Sequence, residues 1–385
     1  MPINLMLKMP ILAGAQEQRK FANDGIAESK EDGLVVLSPA DKSPFRRILY
    51  VDGYGGASMW EKIKKGEVPS HHLRGCLELV RMGYEVALAE PLPDVNLRRR
   101  PVPHDLRLLK MVRSWLKRGD IVYCGHNLLF WLPLLNALGM LGRPIVSHLF
   151  GREDLPVSRG HNGIIGLTPA AAEQGKRLAP HAKVVHLGWG TDLSSFPKLA
   201  YRPEAFFSCG ITLRDHRTLS LAAARCRQRI EVICPGVDGD IKWPANVRVT
   251  DGGRGWTVDD KKVSYNDLLY KHYARSSGSL IILKNHRFVQ QTAPGFTELI
   301  EAMAMARPVI ITRTPALADE IDVEGAGWGL FVPMEDPDAL SEAIDFLGDN
   351  PSQAEEMGRR GRRLAERHYN MERYARDLHK FFESL

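Results

Sequence analysis

The sequence predicts an α/β protein built from two doubly wound domains. Three observations point that way. The chain has 385 residues, enough for two domains of ordinary size. Short apolar or β-branched runs recur between turn residues, and helical stretches separate them. In each half, one such run leads into a glycine loop and then a helix, which is how α/β domains build ligand sites. A hydrophobic content of 44% and a charged content of 25% are those of a globular protein.

Residues 1–45 show little periodicity and read as an N-terminal arm, polar and charged from Gln16 to Asp32. Residues 46–198 are taken as the first domain. Ile48 to Val51 is its first strand, followed by Asp52, Gly53, Tyr54, Gly55 and Gly56. Gly55 and Gly56 allow backbone to come close to a ligand, although the spacing does not meet the dinucleotide fingerprint. His71 to Met82 reads as a helix capped by Gly83, and Tyr84 to Ala89 as the next strand.

Between residues 98 and 118, Leu108, Leu109, Val112, Trp115 and Leu116 form one helical stripe. Eight Arg and Lys residues lie beside and opposite it. Such a helix packs its stripe on the sheet, and its basic face could also meet anionic lipid. Asp120 to Cys124 is a strand with His126 just past its carboxyl end, where α/β folds place ligand contacts. Pro144 to Ser147 is another, with His148 directly after it. Gly163 to Thr168 and Lys183 to Leu187 complete the set, and a linker is expected between Ser194 and Glu204.

The second domain is taken as residues 199–370, and its first strand is Ala205 to Cys209. Gly210 follows, then Arg214, whose planar fork suits phosphate oxygens, with Arg217 as fallback. Asp238-Gly-Asp240 has the form of a metal motif but sits in a Pro/Gly turn, and reads as a turn. The segment from Gly295 to Thr312, GFTELIEAMAMARPVIIT, parses as loop, helix and buried strand. The unpaired N–H groups near Gly295, Phe296 and Thr297 form an anion seat. Glu301 lies four residues after Thr297 on the same face, where a carboxylate can accept hydrogen bonds from sugar hydroxyls.

This segment resembles the donor-binding stretch of GT-B glycosyltransferases, especially the retaining family 4. There a glycine loop leads into EAMA, a basic residue, Pro and a Val/Ile strand. The continuation ALADEI, GAGWGLFVP and DPDALSEAI is similar too. The likeness is strong from about residue 295 to 374 and looser over residues 48–219.

The resemblance implies two Rossmann-like domains facing a cleft, with the donor on the second and the acceptor on the first. A last helix, residues 371–385, would cross back to the first domain. It implies glycosyl transfer from a UDP- or GDP-linked sugar to a saccharide, lipid-linked glycan or small-molecule hydroxyl, with retention and without a metal or other cofactor. Gly55 and Gly56 would face the donor phosphates, His126 and less securely His148 the sugar, Arg214 the diphosphate and Glu301 the ribose.

Two family residues are absent. Ile211 stands where relatives carry Arg, and Ala293 where a first glutamate contacts the donor hexose. Gln291, Gln290 or Glu298 are the candidates left for that contact. Ala306 replaces the usual Gly after EAMA, a less comfortable helix end. A catalytically silent nucleotide-sugar-binding subunit and a nucleotide-sugar 2-epimerase are the alternatives.

The net charge of +6 suits anionic small molecules or phospholipid. No long Lys/Arg run or basic–aromatic repeat suggests nucleic acid. The five cysteines form no C-x-x-C pair and read as reduced, buried thiols. With no apolar run of membrane-spanning length and no convincing signal peptide, the expected location is cytoplasmic, with the inner membrane face as a second station.

Overall fold

The computed structural model describes residues 25–31, 34–53, 55–90, 102–125, 129, 131–150, 158–210, 212–234, 240–251, 257–258, 261–262 and 271–385. It forms two α/β sheets. The first runs β1 (Ile26–Glu31), β2 (Leu34–Pro39), β3 (Arg46–Val51), β4 (Tyr84–Ala89), β5 (Ile121–Cys124), β6 (Ile145–Leu149), β7 (Gly163–Gly166) and β8 (Lys183–His186) in chain order. Its spatial order is β1-β2-β4-β3-β5-β6-β7-β8. Strands β3 to β8 pair parallel, while β1 and β2 join as an antiparallel edge.

That edge corrects the expectation of an arm up to residue 45. Leu34, Val36 and Leu37 are fully buried against the sheet. The run LVVL was the signal, but a single short run outside any α/β alternation carries no period to recognise.

The second sheet holds β9 (Ala205–Cys209), β10 (Ile230–Cys234), β11 (Val247–Asp251), β14 (Ser276–Ile281), β15 (Val309–Thr312) and β16 (Gly329–Val332). All pair parallel, in the order β11-β10-β9-β14-β15-β16. Between them β12 (Thr257–Val258) and β13 (Lys261–Lys262) form a small antiparallel pair.

Alternation along the strands explains the layers. Ile48 and Tyr50 face one apolar cluster, Leu49 and Val51 the other. In the second sheet Phe207, Ile281 and Ile311 face one cluster while Phe206, Leu280 and Ile310 face the opposite one.

The helix Met371–Glu383 belongs to the first domain's core. Met371, Tyr374, Leu378, Phe381 and Phe382 pack among Leu77, Val80 and Tyr123. Asn370 caps it by accepting from Arg373 N. Just before it, Thr191 N donates to Tyr369 O at 2.8 Å and Met371 N donates to Thr191 O at 3.1 Å, stitching the last crossing to the chain's first crossing between domains.

The basic helix Val102–Trp115 packs Leu108, Met111, Val112 and Trp115 inward on the sheet, as its stripe dictates. Among the described residues, no helix is long and apolar enough to cross a membrane.

Candidate functional site

In each sheet the strand order reverses once: between β3 and β5, and between β9 and β14. Such switch points open a crevice at the carboxyl ends of the strands. The second crevice carries the site. Gly210 ends β9 with φ of 103°, and the loop beyond it turns back so that Asp215 N donates to Ile282 O and Lys284 N to Leu213 O. This fixes Arg214 against the chain that leaves β14.

Arg214 is held from three sides. Its Nε donates to Cys209 O at 2.9 Å, Nη1 to Thr212 O at 3.1 Å, and Nη2 to Glu298 Oε2 at 2.6 Å. Glu298 in turn accepts from Ser279 Oγ at 3.0 Å. Both side chains are 5% exposed. Burial raises the Glu298 carboxyl even against the attraction of Arg214. Glu298 is therefore the partner of Arg214 and not a sugar contact, which corrects that expectation: its position in the first helical turn aims it back under the loop.

The glycines around this pair are space requirements. A Cβ on Gly210 would lie 2.2 Å from Arg214 Nη2, and one on Gly295 would lie 2.6 Å from Ile281 Cγ2 and 3.4 Å from Arg214 Nη1. Gly295, with φ of 84°, caps the helix Phe296–Ala304 without any side-chain acceptor. Thr297 is half-buried beside it, and Phe296 is turned inward against Tyr369. The helix start, its glycine cap and the buried guanidinium thus converge on one spot.

Glu301 sits one turn further on but does not line an open surface. Its carboxyl is 7% exposed and faces His71 of the first domain, with Oε1 3.3 Å from His71 Nε2. Burial pushes the Glu301 carboxyl well above its usual range and His71 down to about 4. Sequence reasoning placed His71 at a helix start. The structure breaks that helix instead: a 3₁₀ turn Ser70–Leu73, left-handed Arg74 and Gly75, then the helix Cys76–Met82. Gly75 inside the apparent helix was the available signal.

His71, His72 and Glu301 bring three ligand atoms within 4.8 Å of one another. Their arrangement is unlike a coordination sphere. The two rings stack at 4.7 Å and 29°, so their in-plane lone pairs run side by side and do not converge. Asp192 N also donates to His71 Nδ1 at 3.3 Å, which leaves the proton of the neutral ring on Nε2, the atom a metal would need.

The first domain's glycine loop is occupied from within. Gly55, with φ of 82°, caps the helix Gly56–Lys64, and the Glu90 carboxylate accepts from Ser58 N at that helix start. A Cβ on Gly55 would lie 2.4 Å from Glu90 Oε2, and one on Gly56 would press on Leu88 and Ala89. Nearby, the end of β3 carries a buried network: Tyr50 OH and Arg74 Nε both donate to Asp52 Oδ2, at 2.7 and 2.9 Å. The Arg74 guanidinium lies over the rings of Trp189 and Phe150.

His148 lies inside β6, not after it, and is fully buried. Its Nε2 is 2.6 Å from Tyr374 OH and its Nδ1 is 3.3 Å from Gly125 O. It fastens the last helix to the sheet, which corrects its reading as a sugar contact. Gln290 is exposed on the short helix Arg287–Gln291. His126 and the Gln291 side chain lie outside the described residues, as do Ile211 and Asp238. Ala293 packs against the apolar cluster. Cys76, Cys124, Cys209 and Cys226 are buried.

Two facing doubly wound domains, with a glycine-capped helix start at the second switch point, define a GT-B-fold protein. Residues 216–380 match the family model described as Glycosyl transferase-like. Among solved structures, the chain is similar to sucrose-phosphate synthase from Thermosynechococcus elongatus, at 15% identity over 88% of this chain and 98% of that one, with a TM-score of 0.61. It is similar to HepE from Anabaena in complex with UDP and glucose, at 13% identity over 88% and 100% of the two chains and a TM-score of 0.60. It is also similar to a UDP-forming α,α-trehalose-phosphate synthase from Burkholderia vietnamiensis, at 12% identity over 88% and 100% and a TM-score of 0.58. No curated protein sequence matches the chain.

Proposed function

We propose that the protein transfers a sugar from a nucleoside diphosphate sugar to an acceptor hydroxyl. The observation that carries this reading is the convergence of the Gly295-capped helix start and the buried Arg214 at the switch point of the second sheet. Backbone N–H groups at Gly295, Phe296 and Thr297 hold the diphosphate, and Arg214 offsets its charge. These donors are fixed before the reaction begins, so charge that builds on the leaving diphosphate meets dipoles already aimed at it. HepE is a structural neighbour solved with UDP-glucose, which supports a UDP-linked donor.

In this reading transfer proceeds with retention and needs no metal. His126, which follows β5 in the sequence, is the catalytic residue of this reading, near the transferred sugar. The helix Val102–Trp115, with Leu106 57% exposed and basic residues around it, is the face that would meet an anionic bilayer on the cytoplasmic side.

The test is a thermal-shift and calorimetry panel of UDP, GDP, ADP and their glucose conjugates. A ligand at a hundred times its Kd raises stability by about 2.7 kcal/mol, a shift that is easily read. The reading expects one base to stand out and Arg214→Ala to abolish its binding. A panel with no response in the wild-type protein sinks it. Nucleotide binding without sugar transfer to any acceptor would favour a silent binding subunit, the second reading, which the loss of the family glutamate at Ala293 supports.

A further inference from the structure

We propose that His71 is a lock on the donor half of the cleft: it covers Glu301, and a nucleotide's ribose has to displace it. This rests on the glycosyl-transfer reading above and adds a self-occluded state to it.

The lock is rigid on the His71 side. Ser70 N donates to Asp192 Oδ2 at 3.1 Å, and His71 Nδ1 faces Thr191 Oγ1 and Asp192 N, each at 3.3 Å. The ring is stacked between His72 and Phe196, and it is fully buried. It therefore cannot swing alone. Because Asp192 N–H occupies Nδ1, the ring proton is on Nε2, turned toward Glu301 Oε1.

The two atoms stand 3.3 Å apart, and among the described residues His71 Nε2 makes no full hydrogen bond. The closed state thus leaves a buried N–H poorly matched, which makes it a contact that can open.

Position supplies the rest. Glu301 and the anion seat share the helix Phe296–Ala304, six residues apart, or about 9 Å of helix. A nucleotide whose diphosphate rests at Gly295 brings its ribose hydroxyls to the next turn, and His71 stands there now. His71 is on the first domain and Glu301 on the second, so displacing His71 means parting the two domains.

The experiment uses the full chain and His71→Asn. The Asn side-chain oxygen can still accept from Asp192 N–H, yet it stops short of Glu301. His71→Ala serves as the second variant. UDP binding by calorimetry is expected to tighten about fivefold or more in both, since apparent affinity rises with the fraction of open sites. Glu301→Ala on top of either removes the gain. Equal or weaker UDP binding in His71→Asn overturns the proposal, because His71 would then be part of the ribose site.

Amide exchange of residues 296–304 in nucleotide-free protein gives the independent readout. It is expected to speed up in His71→Asn, and unchanged exchange also overturns the lock. Faster exchange with no nucleotide bound by any variant would leave the lock standing and reject the donor reading.

Discussion

Arg214 Nη2 lies 2.6 Å from Glu298 Oε2, and the pair is sealed under the glycine that caps the donor-side helix. The charge that would greet an anion is thus fixed by an acidic residue from the very helix whose N-terminus would hold that anion. Removing either partner alone strands a buried charge.

Glu298→Ala is expected to cost about 3–5 kcal/mol, and Arg214→Ala a similar amount, in urea unfolding. The double replacement Arg214→Met with Glu298→Leu should recover most of that loss, since apolar residues of similar volume replace a buried pair at little cost. Nucleotide binding should not recover with it. Recovery of both would mean that Arg214 has no part in holding the diphosphate.

Ala306 is a non-glycine residue in the left-handed region, with φ of 54°, one residue past the C-cap of the helix Phe296–Ala304. Its Cβ crowds its own carbonyl there, at about 1–2 kcal/mol per residue. Ala306→Gly removes that crowding and should raise stability by about 1 kcal/mol, seen as a higher urea midpoint at unchanged slope. A lower midpoint would show that the strain is absorbed elsewhere.

Glu78 gives the pH prediction. Burial, then the charge of Asp192, raises its carboxyl from 4.5 to about 7, and one of its oxygens has no hydrogen-bond partner. The folded protein keeps this proton where the unfolded chain has lost it. Stability from this group is therefore complete below pH 4.5 and falls as pH rises toward 7, by about 3 kcal/mol in all. Glu78→Gln should flatten the stability curve across that window and make the protein more stable at pH 8. A variant with the wild-type slope between pH 5 and 7 would rule this out.

Much of the fold was legible because buried parallel strands are written as short apolar runs that end in glycine. The runs at Ile48–Val51, Ala205–Cys209 and Val309–Thr312 all became strands of the doubly wound sheets they implied, and GT-B, the architecture the family resemblance implied, is the fold of the structural neighbours. Gly295 was readable as the start of a helix because a cap sits beside the residues it serves.

The less legible parts are contacts across long separations. His148 meets Tyr374, Glu301 meets His71, and Glu90 seats itself on Ser58. No periodicity marks such pairs. A histidine one residue past a strand's expected end looks identical, in sequence, whether it faces a ligand or a tyrosine from the last helix. His148, read as a sugar contact, and Glu298, read as another, were both taken up by the protein's own polar groups, because a buried polar atom has to find a partner somewhere.

The last helix also fixes a timetable. Phe381 and Phe382 fill space between β7 and the interior of the first domain, so close that a methyl on Gly163 would meet Phe381 at 2.9 Å. A ribosome makes residues 46–198 before residues 371–383, so their core stays unroofed until that helix emerges. The first domain therefore cannot mature until the second, which lies between its two parts in the chain, has been made.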